Sequence, residues 1–276
     1  MSGTSMDGLD CGLFTISISD NFDLEWLCRD FKTFRYNNNI VEVINNAIIK
    51  GKRYYKYADE ILGQEFANIS QDFLNNRYID LVATHGQTVL HNDSINTLQI
   101  GNPRYLFNIF KVPIVFNFRK SDIESGGNGA PLMPILDWFL FKNKLLDVVT
   151  LNIGGMANIS FIPQAANHDD VLGFDTGPGM ALIDISCKLF YGDKYDINGK
   201  YAKKGNIDYI LLDHLLQHKF INTKPPKSTG VHEFGPKLVN DIKEKYNHLN
   251  NNDIIRTFCA FTANSISNNI NKFINI

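Results

Sequence analysis

Leu151 to Ser160 reads LNIGGMANIS, a glycine pair between two β-like runs, Val148–Leu151 and Ile159–Ile162. That pattern predicts a hairpin with its tight turn at Gly154-Gly155. A related stretch opens the chain. Met1 to Asp10 reads MSGTSMDGLD, with Gly3, Thr4, Ser5, Asp7, Gly8 and Asp10 crowded ahead of the alternating run Leu13–Ile18. Small residues let backbone N–H groups approach an anion, and the Thr4 and Ser5 hydroxyls add donors. Asp7 would be repelled by bare phosphate, so a cation between the two is expected. The same residues also fit a simple Gly/Ser-rich turn at a chain end. Two glycine-lined hairpin turns together point to a two-lobed phosphate clamp.

The 276 residues allow one large domain or two smaller ones. A 44% hydrophobic and 20% charged composition is that of an ordinary globular protein, and a net charge of −2 gives no reason to expect nucleic acid or an anionic membrane as partner. Phosphate binding must then come from local backbone geometry. The four cysteines, Cys11, Cys28, Cys187 and Cys259, show no CxxC pair and read as reduced, buried thiols rather than a zinc site. No signal peptide opens the chain and no apolar run reaches spanning length, which predicts a cytoplasmic protein.

Alternation predicts strands over Cys11–Ser19 and Phe22–Tyr36, and helical spacing follows in Ile40–Ile49 and Tyr57–Leu74. Short strands are expected at Tyr78–Ala83 and Leu98–Ile100, a helix after Gly101-Asn102-Pro103, and a buried strand at Val112–Phe116. The polar, glycine-rich Asn117–Gly129 is a candidate hinge loop before a helix near Pro131–Lys144. After the hairpin, Val171–Phe174 leads into Asp175-Thr176-Gly177-Pro178-Gly179 and helices at Met180–Tyr191, Asn206–His218, His232–Tyr246 and Asp253–Ile274. Alternating strand–helix units with hairpins give an α/β fold.

GFDTGPG (Gly173–Gly179) is the strongest internal site candidate. Asp175, at a strand end facing a Gly-Pro-Gly helix entry, fits a general base, though Asp also favours a helix N-cap; the helix N-terminus behind it would offer donors to an anion. FRKSDIESGGNGAPL supplies Arg119, suited to a bidentate grip on a carboxylate, or else a solvated charge run. THGQTVLH presents His85, Gln87, Thr88 and His91, a set suited to sugar hydroxyls or to structural hydrogen bonds. KSTG (Lys227–Gly230) reads as a ligand loop or a turn before the next helix.

Taken in order, GTSMDGLD, THGQTVLH, LQIGNP, FRKSDIESGGNGAPL, LNIGGMANIS, GFDTGPG, DINGKYAKKG and PPKSTG resemble the anhydro-N-acetylmuramic acid kinase family over almost the whole chain. The resemblance implies a two-lobed actin-like ATPase (ribonuclease H-like) sugar kinase fold, with lobes at 1–117 and 118–276. It implies ATP with Mg²⁺ and a 1,6-anhydro amino sugar from cell-wall recycling, and makes a homodimer the expected assembly. In the reaction that the resemblance implies, water attacks the anomeric carbon, the anhydro bond opens, and the freed 6-oxygen attacks the γ-phosphate. Asp175 falls where the family's base deprotonates that water. Gly3, Thr4, Ser5, Met6, Asp7, Gly8, Leu9, Asp10, Gly154, Gly155 and Asn158 fall on the nucleotide side, with Asp7 toward the metal. His85, Gln87, Thr88, Arg119 and Gly177 fall on the sugar side.

Departures from the family pattern bear on activity. The chain starts within the MSGTS motif, so a first strand ahead of it is expected to be missing, and it ends before the expected adenosine-binding strand–turn. Met180 stands for the usual Asn, Asn117 for Asp, and Val231-His232 for Arg-Glu. A silent sugar-binding remnant or one part of a split enzyme is the alternative to an active kinase, and plain hydrolysis of the anhydro sugar is a third reading.

Overall fold

Residues 2, 8–92 and 95–274 are described by a computed structural model of the chain. It is a mixed α/β structure with small sheets, and it divides into two units, Met1–Ala130 and Pro131–Ile276.

In the first unit the alternating run after the N-terminal turn forms β1 (Gly8–Ile18), paired antiparallel with β2 (Leu24–Arg35). A side chain at Gly8 would meet the Phe34 carbonyl oxygen at 2.4 Å, so this close strand pairing requires glycine. Helix α1 (Asn38–Lys50) starts at Asn37, whose side chain accepts from the Ile40 N–H at 3.0 Å, and stops at Gly51 with φ +62°. Helix α2 (Lys52–Leu74) buries Ala58, Leu62 and Phe66 at helical spacing against Leu9, Ile40, Ile44 and Ile100. The rest of the unit comprises β3 (Val82–Ala83), β4 (Gln87–Asn92), β5 (Asn96–Ile100), α3 (Arg104–Phe110), β6 (Ile114–Val115) and α4 (Phe118–Glu124). β4 and β5 form a hairpin, whereas β3 and β6 pair in parallel over two residues each.

Three expectations are corrected here. The buried strand at Val112–Phe116 shrinks to Ile114–Val115, with Val115 and Phe116 exposed, because its only pairing among the described residues is with the short β3. The run after Thr84-His85-Gly86 is itself a strand. Part of the Asn117–Gly129 loop is helix α4, which packs on β5, so this stretch belongs with the first unit.

In the second unit α5 (Met133–Phe141) precedes a three-stranded antiparallel sheet of β7 (Val148–Ile153), β8 (Met156–Ile162) and β9 (Leu172–Pro178), in that order. Residues opposite one another share a face. Leu151, Ile159 and Phe174 lie on one, with α10 (Asn251–Phe273) packed over it through Ile270 and Phe273. Thr150, Ser160 and Gly173 lie on the other, under α5: the buried Asp137 carboxylate accepts from Thr150 Oγ1 at 2.7 Å and Ser160 Oγ at 2.6 Å. Helices α6 (Ala181–Tyr191), α7 (Tyr209–Leu216), α8 (Lys219–Asn222) and α9 (Pro236–Lys245) complete the unit around Leu182, Leu211, Phe234, Phe258 and Phe261. Of the cysteines Cys187 is buried, but Cys28 is exposed on β2, against the reading of four buried thiols. Among the described residues no helix is long and apolar enough to cross a membrane.

Candidate active site

β9 runs through the whole of Leu172–Pro178, so Asp175 is a strand residue, and its alternative role as a helix cap does not apply to α6, which starts at Ala181. Asn152, Asn158 and Asp175 stand opposite one another on adjacent strands, a row of two amides and a carboxylate on one face of the sheet. The register shifts beside them: Asn158 pairs with Asp175 and Ala157 with Gly177, leaving Thr176 as the extra residue of a bulge. Buried Asn269 of α10 donates to the Thr176 carbonyl at 3.2 Å, and Thr176 Oγ1 donates to the Ala157 carbonyl at 3.2 Å. The bulge is thereby held and Asp175 fixed in direction. Asp175 is 8% exposed, and its Oδ2 accepts from the Thr229 N–H at 2.8 Å.

The Gly154-Gly155 turn sits at the same end of this sheet. Its carbonyls accept from Gly179, Met180 and Ala181 N–H at 2.9 to 3.1 Å, so the turn is docked on the start of α6. The Gly179, Met180 and Ala181 N–H groups at the entry to α6 are therefore engaged by the chain itself. The turn itself is exposed. A Cβ added at Gly154 or Gly155 would meet nothing closer than 3.6 and 4.0 Å, and neither residue has a left-handed φ. Internal packing thus gives no reason for glycine at either position, and the backbone of the turn is open to close approach from outside the chain. Gly177 differs: its φ of +143° and the Ile221 and Ser265 side chains, 2.9 and 3.1 Å from an added Cβ, demand glycine on structural grounds.

The first unit holds His85, Gln87, Thr88 and Arg119, expected on the sugar side, whereas Gly177 lies in the second. Arg119 Nε donates to His85 Nε2 at 2.8 Å and Arg119 Nη1 to the Gly129 carbonyl at 2.8 Å. His85 Nε2 is then the acceptor, and Nδ1 carries the proton to the Gly86 carbonyl at 2.9 Å. Burial, with the Arg119 charge, pushes the His85 pKa below its usual value, so the ring is neutral and held for orientation. His85 lines a cleft of about 410 Å³ together with Lys56, Asp59, Thr84, Gln99 and Asn117. Asp59, which the sequence reading missed, accepts from the Gly101 N–H at 2.8 Å, and burial raises its pKa. No local signal marks it, since the contact depends on a loop far along the chain. Gln87 is 1% exposed and accepts from Ser2 Oγ, and Thr88 accepts from Gln99 at 3.3 Å. Both serve the chain's own hydrogen bonding.

On the nucleotide side, Gly3, Thr4, Ser5, Met6 and Asp7 lie outside the described residues. Leu9 is buried in the first core, and the exposed Asp10 accepts from Thr33 Oγ1 at 2.6 Å. Among the described residues no cluster of three or more His, Cys, Asp or Glu could hold a metal ion.

Lys227, read from the sequence only as part of a loop, is buried, and desolvation pushes its ammonium pKa down to about 8; Lys272 adds to this and Asp175 opposes it. From pH about 8 up to the ordinary value of 10.5 the unfolded chain holds a proton that the folded one has released. Stability from this group therefore rises with pH across that window, by roughly 1–3 kcal/mol. Urea unfolding at several pH values should show this rise in the native protein relative to Lys227→Met, and identical pH slopes would contradict it.

A family model described as anhydro-N-acetylmuramic acid kinase matches residues 1–275. A protein of that name from Clostridioides difficile (strain 630) is 36% identical over 288 residues, covering 99% of this chain and 75% of the relative. Another from Bacillus cereus (strain G9842) is 33% identical over 293 residues, with the same coverage of 99% and 75%. A third, from Bacillus anthracis, is also 33% identical over 293 residues. With a family model spanning nearly every residue and relatives above 30% identity along the chain, the chain belongs to the anhydro-N-acetylmuramic acid kinase family.

Proposed function

We propose that this chain hydrolytically opens 1,6-anhydro-N-acetylmuramic acid and phosphorylates the freed 6-oxygen, giving N-acetylmuramic acid 6-phosphate in peptidoglycan recycling. The reading extends to a two-lobed actin-like fold, a cytoplasmic location and a homodimer. ATP supplies the phosphoryl group and Mg²⁺ neutralises its charge. The observation that carries the proposal is the Asn152–Asn158–Asp175 row ending at an exposed glycine turn whose openness nothing in the chain requires.

In this reading Asp175 takes the proton of a water as its oxygen joins the anomeric carbon, a role that needs a carboxylate within hydrogen-bond reach. Asn158, directly opposite, takes the nucleotide side of the same row. Gly154 and Gly155 admit the phosphates to the backbone, with Gly3 to Asp10 as the second cradle and Asp7 toward the metal. His85 and Arg119 orient the sugar and its lactyl carboxylate, with Gln87, Thr88 and Gly177 supporting the walls.

Incubation of the purified chain with the anhydro sugar and ATP-Mg²⁺ tests the whole reading, with a phosphorylated sugar as the expected product. Free reducing sugar without phosphate would make it a hydrolase, and binding without turnover a silent sugar-binding protein. The glycine turn has its own test. Gly155→Ala should leave the unfolding free energy within about 0.5 kcal/mol, because the new methyl meets open space. Its KM for ATP should rise about tenfold, the loss of roughly 1.4 kcal/mol of binding. An unchanged ATP KM would remove this turn from the nucleotide site.

A further inference from the structure

Lys227–Thr229 wraps the edge of β9 that does not pair with β8. The Asp175 N–H donates to the Lys227 carbonyl at 3.0 Å, and two residues on, the Thr229 N–H reaches the Asp175 carboxylate at 2.8 Å. Thr229 Oγ1 in turn donates to Glu233. The same short segment therefore fixes both the backbone and the side chain of Asp175. The Lys227 side chain anchors the segment to α8. Its Nζ donates to the Phe220 and Ile221 carbonyls of α8 at 3.1 and 3.2 Å. It lies 4.7 Å from the Phe220 ring centre, 5.1 Å from that of Phe273 and 5.9 Å from that of Phe174.

An ammonium placed there is costly to bury, and an apolar residue of similar shape would stabilise such a cage at least as well. Its presence makes sense if direction matters more than stability, because a charged tip bound to two carbonyls and ringed by aromatic faces has one position. We propose that Lys227 is a positioning residue for Asp175, pinning Lys227–Thr229 to the edge of β9 so that the carboxylate faces its water in a single orientation. The proposal rests on Asp175 being the base. Lys227 touches neither sugar nor nucleotide in it, and it acts through the peptide of residue 227 and the N–H of Thr229.

The test uses the full chain and three variants. Lys227→Met removes charge and donors; Lys227→Gln removes the charge but keeps an NH₂ for the α8 carbonyls, and serves where Met prevents folding. Lys227→Arg keeps charge, donors and ring contacts. With rates normalised to folded protein, kcat of the neutral variants should fall ten- to a hundredfold, the approximate cost of a displaced reacting group. Their KM for the sugar should stay within about twofold, and Lys227→Arg should recover most of the lost kcat. A kcat within about twofold of native in a folded neutral variant overturns the proposal, as does an Arg variant no better than Met. Asp175→Asn is run alongside. A dead Asp175→Asn with an unaffected Lys227→Met removes Lys227 alone, whereas an active Asp175→Asn removes the base and this proposal with it.

Discussion

Replacing Asp175 by Asn is expected to lower kcat by about a thousandfold or more, to the limit of detection, while sugar affinity stays within about tenfold. Asn has the shape of Asp, and its side-chain oxygen can still accept from the Thr229 N–H that now meets Asp175 Oδ2 at 2.8 Å. The residue opposite, Asn158, and the bulge at Thr176 are untouched, so strand geometry persists. What is lost is a group able to take a proton, and an uncharged water attacks a sugar carbon poorly without one. Binding of the ground state needs no such transfer, which is why the effect should fall on kcat. Single-turnover assays with calorimetric titration of the sugar separate the two quantities. Native turnover in the variant would exclude Asp175 as the base, and a large loss of sugar affinity would make it a binding residue instead.

Gly179→Ala should produce the second large effect, on stability and ATP use together. A methyl at this position would sit 2.3 Å from the Gly154 carbonyl oxygen and 3.1 Å from the Met156 carbonyl carbon, both main-chain atoms that cannot swing aside. Relief requires the Gly154-Gly155 turn to lift off α6, breaking the three hydrogen bonds from Gly179, Met180 and Ala181. Overpacking of this kind costs about 1–3 kcal/mol, and lost hydrogen bonds add about 1 kcal/mol each at most. An unfolding free energy lower by roughly 2–4 kcal/mol is expected in urea, along with an ATP KM raised more than in Gly155→Ala. The pair of variants separates two reasons for glycine. Gly155 leaves room for something outside the chain, and Gly179 leaves room for the chain itself. A urea midpoint equal to native in Gly179→Ala would refute the docking.

The parts of this arrangement written into local sequence were legible, and those made by distant contacts were not. The β7–β8 hairpin follows from alternation around a glycine pair, and α1, α2 and α10 from apolar spacing, while the Asn37 and Asn250 caps came to light in the structure. Asp175 and Asn158 stood out separately, but their pairing across two strands depends on register. Strand β4 escaped notice because QTVLHN is only weakly apolar and takes its form from β5. Helix α4 escaped because it buries no residue and so has no apolar stripe; Asn117 at φ +62° and the Lys120–Glu124 pair at 3.6 Å mark it only in space. Lys227 is the clearest case. Its role depends on Phe220, Phe174 and Phe273 meeting around it, three aromatics spread over a hundred residues of chain (about that span) that no motif connects.

Thr176 carries a further consequence. A strand repeats every two residues, so one inserted residue reverses parity beyond it. Asp175 and Gly177 would point the same way in an unbroken strand, yet they pair with Asn158 and Ala157 and thus address opposite sides. Excision of Thr176 would make Asp175 and Gly177 consecutive residues of a regular strand, still on opposite sides, so the loss would fall on the bulge and on the hydrogen bonds that Thr176 makes with Asn269 and Ala157. What the extra residue supplies is a point of attachment: its carbonyl ties the strand to α10 and its hydroxyl ties it to β8.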